Sequence, residues 1–223
     1  MTKIRVGIVG DTHCPQRVPL KALPSIIEAM QGCDYIIHIG DVSTKDVLSQ
    51  LEAIAPTYAV RGNDEIDTND LPDKLVITIG DVRIGLHHGH RPFMTEFPSR
   101  IKTFLGLNRG MDWAGIQEWL LEKFKNDNVH VIVFGHFHVQ YNAYHNGTLL
   151  INSGSIYKSS HDALAYRMRH STKLKDQLMS KIEYRMKKYK VSKLPTIAIL
   201  EIDGLNLEAK IIELPKIQYE GLE

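Results

Sequence analysis

The stretch KLVITIGDVRIGLHH, Lys74–His88, decides the fold. Two β-prone runs flank Gly80-Asp81, a pair suited to the positive backbone angles of a tight hairpin turn, so the segment predicts two antiparallel strands. Upstream the pattern is different. IRVGIV (Ile4–Val9), YIIHI (Tyr35–Ile39) and TYAV (Thr57–Val60) read as strands. Between them lie two helical patterns, LKALPSIIEAM (Leu20–Met30), with Pro24 near its first turn, and TKDVLSQLEAI (Thr44–Ile54), with Thr44 or Ser43 as N-cap. Strands joined by helices of that length imply a parallel sheet with right-handed crossovers. Downstream the hairpin device returns, in YNAYHNGTLLIN around Asn146-Gly147 and in TIAILEIDGLNLEAKIIEL around Asp203-Gly204. Parallel units first and hairpins later predict an α/β sandwich of two mixed sheets with helices outside.

The 223 residues fit one domain, 1–223, and can bury a real core. Apolar content of 43% and charged content of 24% are ordinary for a globular protein, and a net charge of +1 gives no global attraction to nucleic acid or membrane. Cys14 and Cys33, in a chain too large to need staples, point to a cytoplasmic setting more than a secreted one, with one disulfide left open. The opening MTKIRVGIVGDTH reads as a strand running into a polar turn, not as a signal peptide. No stretch approaches the roughly 18 apolar residues of a spanning helix.

Two segments depart from the rhythm. Arg91–Asn128 holds an irregular stretch and then a helical pattern, WAGIQEWLLEKFK. Tyr157–Lys193 reads as a mostly helical insertion, with Leu174, Leu178, Ile182, Met186 and Tyr189 at helical spacing. It carries eleven Lys/Arg against three Asp/Glu, so +8, leaving about −7 for the rest of the chain. We read it as an amphipathic element packing on its own domain or on a second copy of the chain, ahead of nucleic acid.

Chemistry gathers at the strand ends. After the first strand comes GDTH, with Asp11 and His13; after the second, GD, with Asp41; after the third, RGNDE, with Asn63 and Asp64. After the hairpin strand comes LHHGH, with His87, His88 and His90. VIVFGHFHVQ (Val131–Gln140) then places His136 and His138 two apart, on one side of an extended chain. The carboxyl edge of an α/β sheet is where ligands bind, and glycines there permit tight turns and close approach. Carboxylates, imidazoles and one amide oxygen, without thiolate, suit manganese, iron, zinc or nickel. Seven ligands exceed one tetrahedral site but suit two ions sharing a carboxylate, the arrangement that clamps an in-line phosphoryl displacement.

Taken in order, DTH, GD, GND, HGH and GHFH resemble the motifs of the calcineurin-like metallophosphoesterases, particularly the small YfcE-type phosphodiesterases. The resemblance spans roughly residues 3–156 and 195–214. It implies a four-layer α/β/β/α sandwich, two divalent ions with manganese first among them, and hydrolysis of phosphate esters by metal-activated hydroxide. It implies Asp11, His13 and His138 on one ion, Asn63, His88 and His136 on the other, and Asp41 bridging. Asn63 would also steady a phosphate oxygen, His90 would touch substrate, and His87 would face away and pack. INSGSI (Ile151–Ile156) matches the family's Asn-Pro-Gly-Ser turn with Ser153 in place of proline, and is expected to shape the rim. Many members follow the metal-binding Asn with a histidine that protonates the leaving group; here Asp64 stands there. An ordinary carboxylic acid, with pKa near 4, is a poor acid at neutral pH. Two other readings compete: a non-catalytic Vps29-like protein-binding scaffold, and a nucleic-acid-processing nuclease. A competent residue at every expected ligand position favours the enzyme.

Overall fold

The computed structural model of the chain describes residues 3–91, 115–157, 161–174, 177–178, 180–181 and 194–219. Among these residues, ten strands form two five-stranded sheets. The first has β1 (Ile4–Val9) in the middle, with β2 (Tyr35–His38) and then β3 (Thr57–Ala59) parallel on one side. On its other side β9 (Thr196–Asp203) runs antiparallel, followed by β10 (Asn206–Glu213). The second sheet has the order β4 (Lys74–Ile79), β5 (Val82–His87), β6 (Val131–Val133), β8 (Thr148–Ser153), β7 (Gln140–His145). Within it β5, β6 and β8 are parallel, and β4 and β7 are antiparallel edges.

Strand alternation sorts the apolar side chains into layers. Val6, Ile8, Ile37, Ala198 and Leu200 of the first sheet meet Ile84, Leu86, Val131, Val133 and Ile151 of the second, all fully buried. The opposite face of the first sheet is covered by α1 (Leu23–Met30) and α2 (Lys45–Glu52). The opposite face of the second packs on α3 (Ile116–Lys123) through Leu120, Phe124, Ile132 and Leu150. The result is the α/β/β/α sandwich of the metallophosphoesterase fold. Helix and sheet approach closely where a strand carries glycine: a Cβ on Gly85 would stand 2.7 Å from two ring carbons of Phe124.

Several boundaries shift for local reasons. The helix expected over Leu20–Met30 divides into a 3₁₀ turn, Leu20–Ala22, and α1. An α-helix through Leu20 would press its carbonyl against the Pro24 ring, so the chain turns more tightly first. Thr44 does precede α2 with an extended backbone, but its hydroxyl donates to the Cys14 carbonyl (3.3 Å) rather than capping. The hairpins fall at Gly80-Asp81 and Asn146-Gly147 as expected, while the third turn holds Gly204-Leu205, one residue further along. Cys14 and Cys33 are free and buried.

In the basic segment, Tyr157 is buried against the core of the first sheet, and α4 runs His161–His170 with Ala163, Leu164 and Tyr166 buried. This part packs on its own chain, whereas Leu174 and Leu178 are exposed. Ile182, Met186 and Tyr189 lie outside the described residues, as does Trp113 of the helical pattern before α3. No helix among the described residues is long and apolar enough to cross a membrane.

Candidate metal centre

The carboxyl ends of β1, β2 and β3 from one sheet meet those of β5 and β6 from the other, and each loop leaving them carries a polar ligand type. Asp11 (φ 51°), His13 (φ 48°), Asp41 (φ 53°), His136 (φ 70°) and His138 (φ 55°) all adopt left-handed backbone. That region is sparsely populated outside glycine, although Asp and His tolerate it better than most. The loops brace each other: the Asp11 N–H donates to the Gly40 carbonyl (3.0 Å) and the His13 N–H to the Asp41 carbonyl (2.9 Å). The His136 N–H donates to Asp11 Oδ2 (3.2 Å), joining the two sheets. Glycine is required here for room: a Cβ on Gly62 would fall 2.1 Å from Asp41 Oδ1.

Two groups of side chains converge closely enough to share a cation, Asp11 with His13 and His138, and Asp11 with Asp41 and His88. His138 Nε2 is 3.0 Å from Asp11 Oδ1. Asp41 Oδ2 lies 3.4 Å from His13 Nε2 and 3.4 Å from His88 Nε2, so this one oxygen spans both groups. His136 presents its half-buried ring edge-on to His88, centroids 5.2 Å apart. Asn63 is exposed on the loop after β3.

The electrostatics favour positive charge at this spot. Burial opposes ionisation of Asp41 and Asp11, yet His88 and His13 hold Asp41 well below the usual carboxylate range, and His138 lowers Asp11. Burial also opposes a charged His88, but Asp41 and then Asp11 raise it to about 10. His13 goes the other way: burial, and the nearby Arg17 charge, push it down to about 4. It is therefore a neutral imidazole at pH 7, the form that ligates metals. Asp11 Oδ1, His13 Nε2 and His88 Nε2 are buried and accept or donate no hydrogen bond. Buried polar atoms in that condition are costly, and divalent ions at the two groups would satisfy them, so the donor set fits such ions.

His87 is buried as packing, edge-on to Trp119 at 5.1 Å and stacked on His90 at 5.4 Å. His90 borders the centre with its Nε2 3.4 Å from Asp73, a carboxylate that the sequence did not single out. The INSGSI turn does brace the rim: the Asn152 amide donates to the Gly135 carbonyl (3.0 Å), and the Ser155 hydroxyl sits 3.1 Å from the Asp11 carbonyl. Tyr157, Arg17 and Glu65 carry no signal of a site role in the sequence, and Asp64 finds unexpected partners. Tyr157 sets its ring against His13 and His138, centroids 5.7 and 5.8 Å away, and Arg17 lies over that ring. Glu65, buried, gathers the N–H groups of Val42, Ser43 and Gly62. Asp64 is buried and ion-paired with Arg17 and with Lys173 of the basic segment. Burial raises its pKa, but His13, Arg17 and Lys173 overcome this and hold the carboxyl far below its ordinary range.

A two-sheet α/β sandwich with carboxylates and imidazoles meeting at its strand ends has the donor set of a metal-binding α/β protein. A family model described as the calcineurin-like phosphoesterase superfamily domain matches residues 4–175, and the chain belongs to that family. A probable metallophosphoesterase of Methanocaldococcus jannaschii is 29% identical over 150 residues, covering 67% of each chain. Among solved structures, Vps29 of Chaetomium thermophilum superposes with a TM-score of 0.60 at 15% identity, covering 95% of this chain and 100% of that one. A structure titled as a novel archaeal phosphodiesterase gives 0.54 at 18% identity, covering 94% and 100%. At such identities these likenesses speak for the fold alone.

Proposed function

We propose that the protein is a metal-dependent phosphodiesterase. Asp11, His13 and His138 would hold one divalent ion and Asn63, His88 and His136 a second, with Asp41 between them. The observation that carries this reading is the position of Asp41 Oδ2, equidistant from an imidazole of each group at 3.4 Å. Divalent ions bound there would supply the charge that acidifies water and neutralises phosphate oxygens. Around them, Asn63 and His90 would orient the ester, Tyr157 would wall one side, and Asp64, held as a carboxylate, would have no proton to give. Esters with stable leaving anions should then react fastest.

The test combines metal analysis with a panel of aryl and alkyl diesters and monoesters, assayed with manganese, in the parent and in Asp41→Asn. Two ions per chain and diester turnover, both reduced in the variant, would support the proposal. Full metal occupancy with no hydrolysis of any ester would favour the second reading, a binding scaffold on the fold shared with Vps29. Retention of both ions and normal turnover by Asp41→Asn would overturn the placement of the bridge.

A further inference from the structure

His13 lies between two sets of carboxylates. Its Nε2 faces Asp41 Oδ2 at 3.4 Å and Asp11 Oδ1 at 3.9 Å, and its Nδ1 faces Asp64 Oδ2 at 3.5 Å. The ring is fully buried, so no water competes for either nitrogen. Asp64 is itself held from several directions. Oδ1 pairs with Lys173 Nζ and Oδ2 with Arg17 Nη2, while its backbone N–H donates to Asp41 Oδ1 at 2.8 Å. Lys173 comes from the segment after α4, which is anchored beside the centre by Gln16 Nε2 to Thr172 Oγ1 (3.4 Å) and by the Tyr166 hydroxyl donating to the Pro15 carbonyl (3.0 Å).

We propose that Asp64 is the positioning carboxylate of His13, kept in place by Arg17 and by Lys173 of the basic segment, so that His13 offers Nε2 to the metal centre. The inference rests on the metal-centre reading given above. A ligating imidazole that donates its other N–H to a carboxylate has its tautomer and ring orientation fixed, and loss of that partner typically weakens metal affinity about 10–100-fold. At 3.5 Å the pair is long for a hydrogen bond and Nδ1 makes none in this structure, so ring and carboxylate must draw together when the centre is loaded. The basic segment thereby contributes to the centre without supplying a ligand.

The experiment uses Zn²⁺ alone as probe, with affinity measured by competition titration and the imidazole N–H protons followed by NMR in the zinc-loaded protein. The expected results are a downfield His13 Nδ1–H resonance in the parent, its loss or upfield movement in Asp64→Asn, and an affinity about 10–100-fold lower in that variant. Lys173→Gln separates positioning from simple charge. Removing a cation near a divalent ion should tighten binding if charge alone acts, whereas a loosened Asp64 should weaken it, with rescue by Lys173→Arg. Unchanged or tighter binding in Lys173→Gln together with an unmoved His13 resonance would overturn the role of Lys173. Unchanged affinity and resonance in Asp64→Asn would overturn the whole inference. A parent protein that binds no zinc at all would instead overturn the metal-centre reading.

Discussion

Replacing Glu65 by alanine removes the acceptor that ties two ligand-bearing loops together. Glu65 Oε1 accepts from the Val42 N–H (3.3 Å) and the Gly62 N–H (2.8 Å), and Oε2 from the Ser43 N–H (2.7 Å) and the Thr68 hydroxyl (2.6 Å). The residue is only 7% exposed, so water replaces these bonds poorly. Bonds to a charged acceptor contribute about 1.5–3 kcal/mol each, and a buried donor left alone costs a similar amount. The Thr68 hydroxyl can rotate elsewhere and the Val42 bond is long, so the variant should lose about 4–6 kcal/mol rather than the full sum. At about 2–4 °C per kcal/mol for a chain of this size, melting should fall by roughly 10–20 °C. Glu65→Gln should be milder, about 2–3 kcal/mol, because Thr68 can turn to accept from the new amide and only the Ser43 N–H then faces a donor. The assay is thermal or guanidinium unfolding in the presence of a chelator, so that ion binding does not stabilise the folded state by mass action. An alanine variant within about 1 kcal/mol of the parent, or a glutamine variant less stable than alanine, would refute the reasoning.

Gly85→Ala should destabilise by about 1–3 kcal/mol through overpacking against Phe124; equal melting temperatures would mean that α3 simply shifts away. Burial raises the thiols of both Cys14, to about 12, and Cys33, so the native protein should resist a thiol reagent at pH 8 and react at two sites once unfolded. The same shifts set a sign for stability. Below the ordinary thiol range there is no effect; above it the unfolded chain loses protons that the native state keeps, so stability should fall as pH rises toward 12. His88, raised to about 10, makes stability fall with pH in either protein, so a shallower fall for the Cys14→Ala, Cys33→Ala double variant than for the parent would check this. Raising salt should weaken the exposed Lys45–Asp70 pair but leave the buried Asp64 cluster intact, so Asp64→Asn should destabilise more than Asp70→Asn at high ionic strength.

Much of the architecture was legible because its signals are local. Gly80-Asp81 and Asn146-Gly147 announce their turns whatever surrounds them, and Val131–Val133 stops where Gly135 begins the ligand loop. The expected ligands stand out because they follow strand ends, five of the seven directly beside a glycine, and the structure brings Asp11, His13, Asp41, His88 and His138 together there. What stayed hidden is long-range. Nothing near Ile4 says that Ile202 will lie opposite it, so the place of the last hairpin beside β1 was not readable. The run Asn63-Asp64-Glu65 looks like a solvated acidic loop, yet Asp64 and Glu65 are buried because cations and N–H groups from elsewhere close on them. Tyr157 and Lys173 were assigned to an insertion by charge and spacing, although one walls the centre and the other reaches Asp64.

The centre is also a place where the chain accepts local strain. Asp11, His13, Asp41, His136 and His138 share left-handed backbone, a conformation that costs roughly 1 kcal/mol or more at each residue that is not glycine. Such a set persists only if the surroundings over-determine it. Each strained loop here is tied to another strained loop: Asp11 and His13 to the loop of Asp41, and His136 to the Asp11 carboxylate. The last of these ties crosses from one sheet to the other, and the sheets are themselves locked by the buried layer between them. Stabilisation distributed over that core thus offsets a cost concentrated at five residues. The left-handed turns in return aim side chains two apart, such as Asp11 with His13 and His136 with His138, into one small volume from chains that a regular strand would have carried past it.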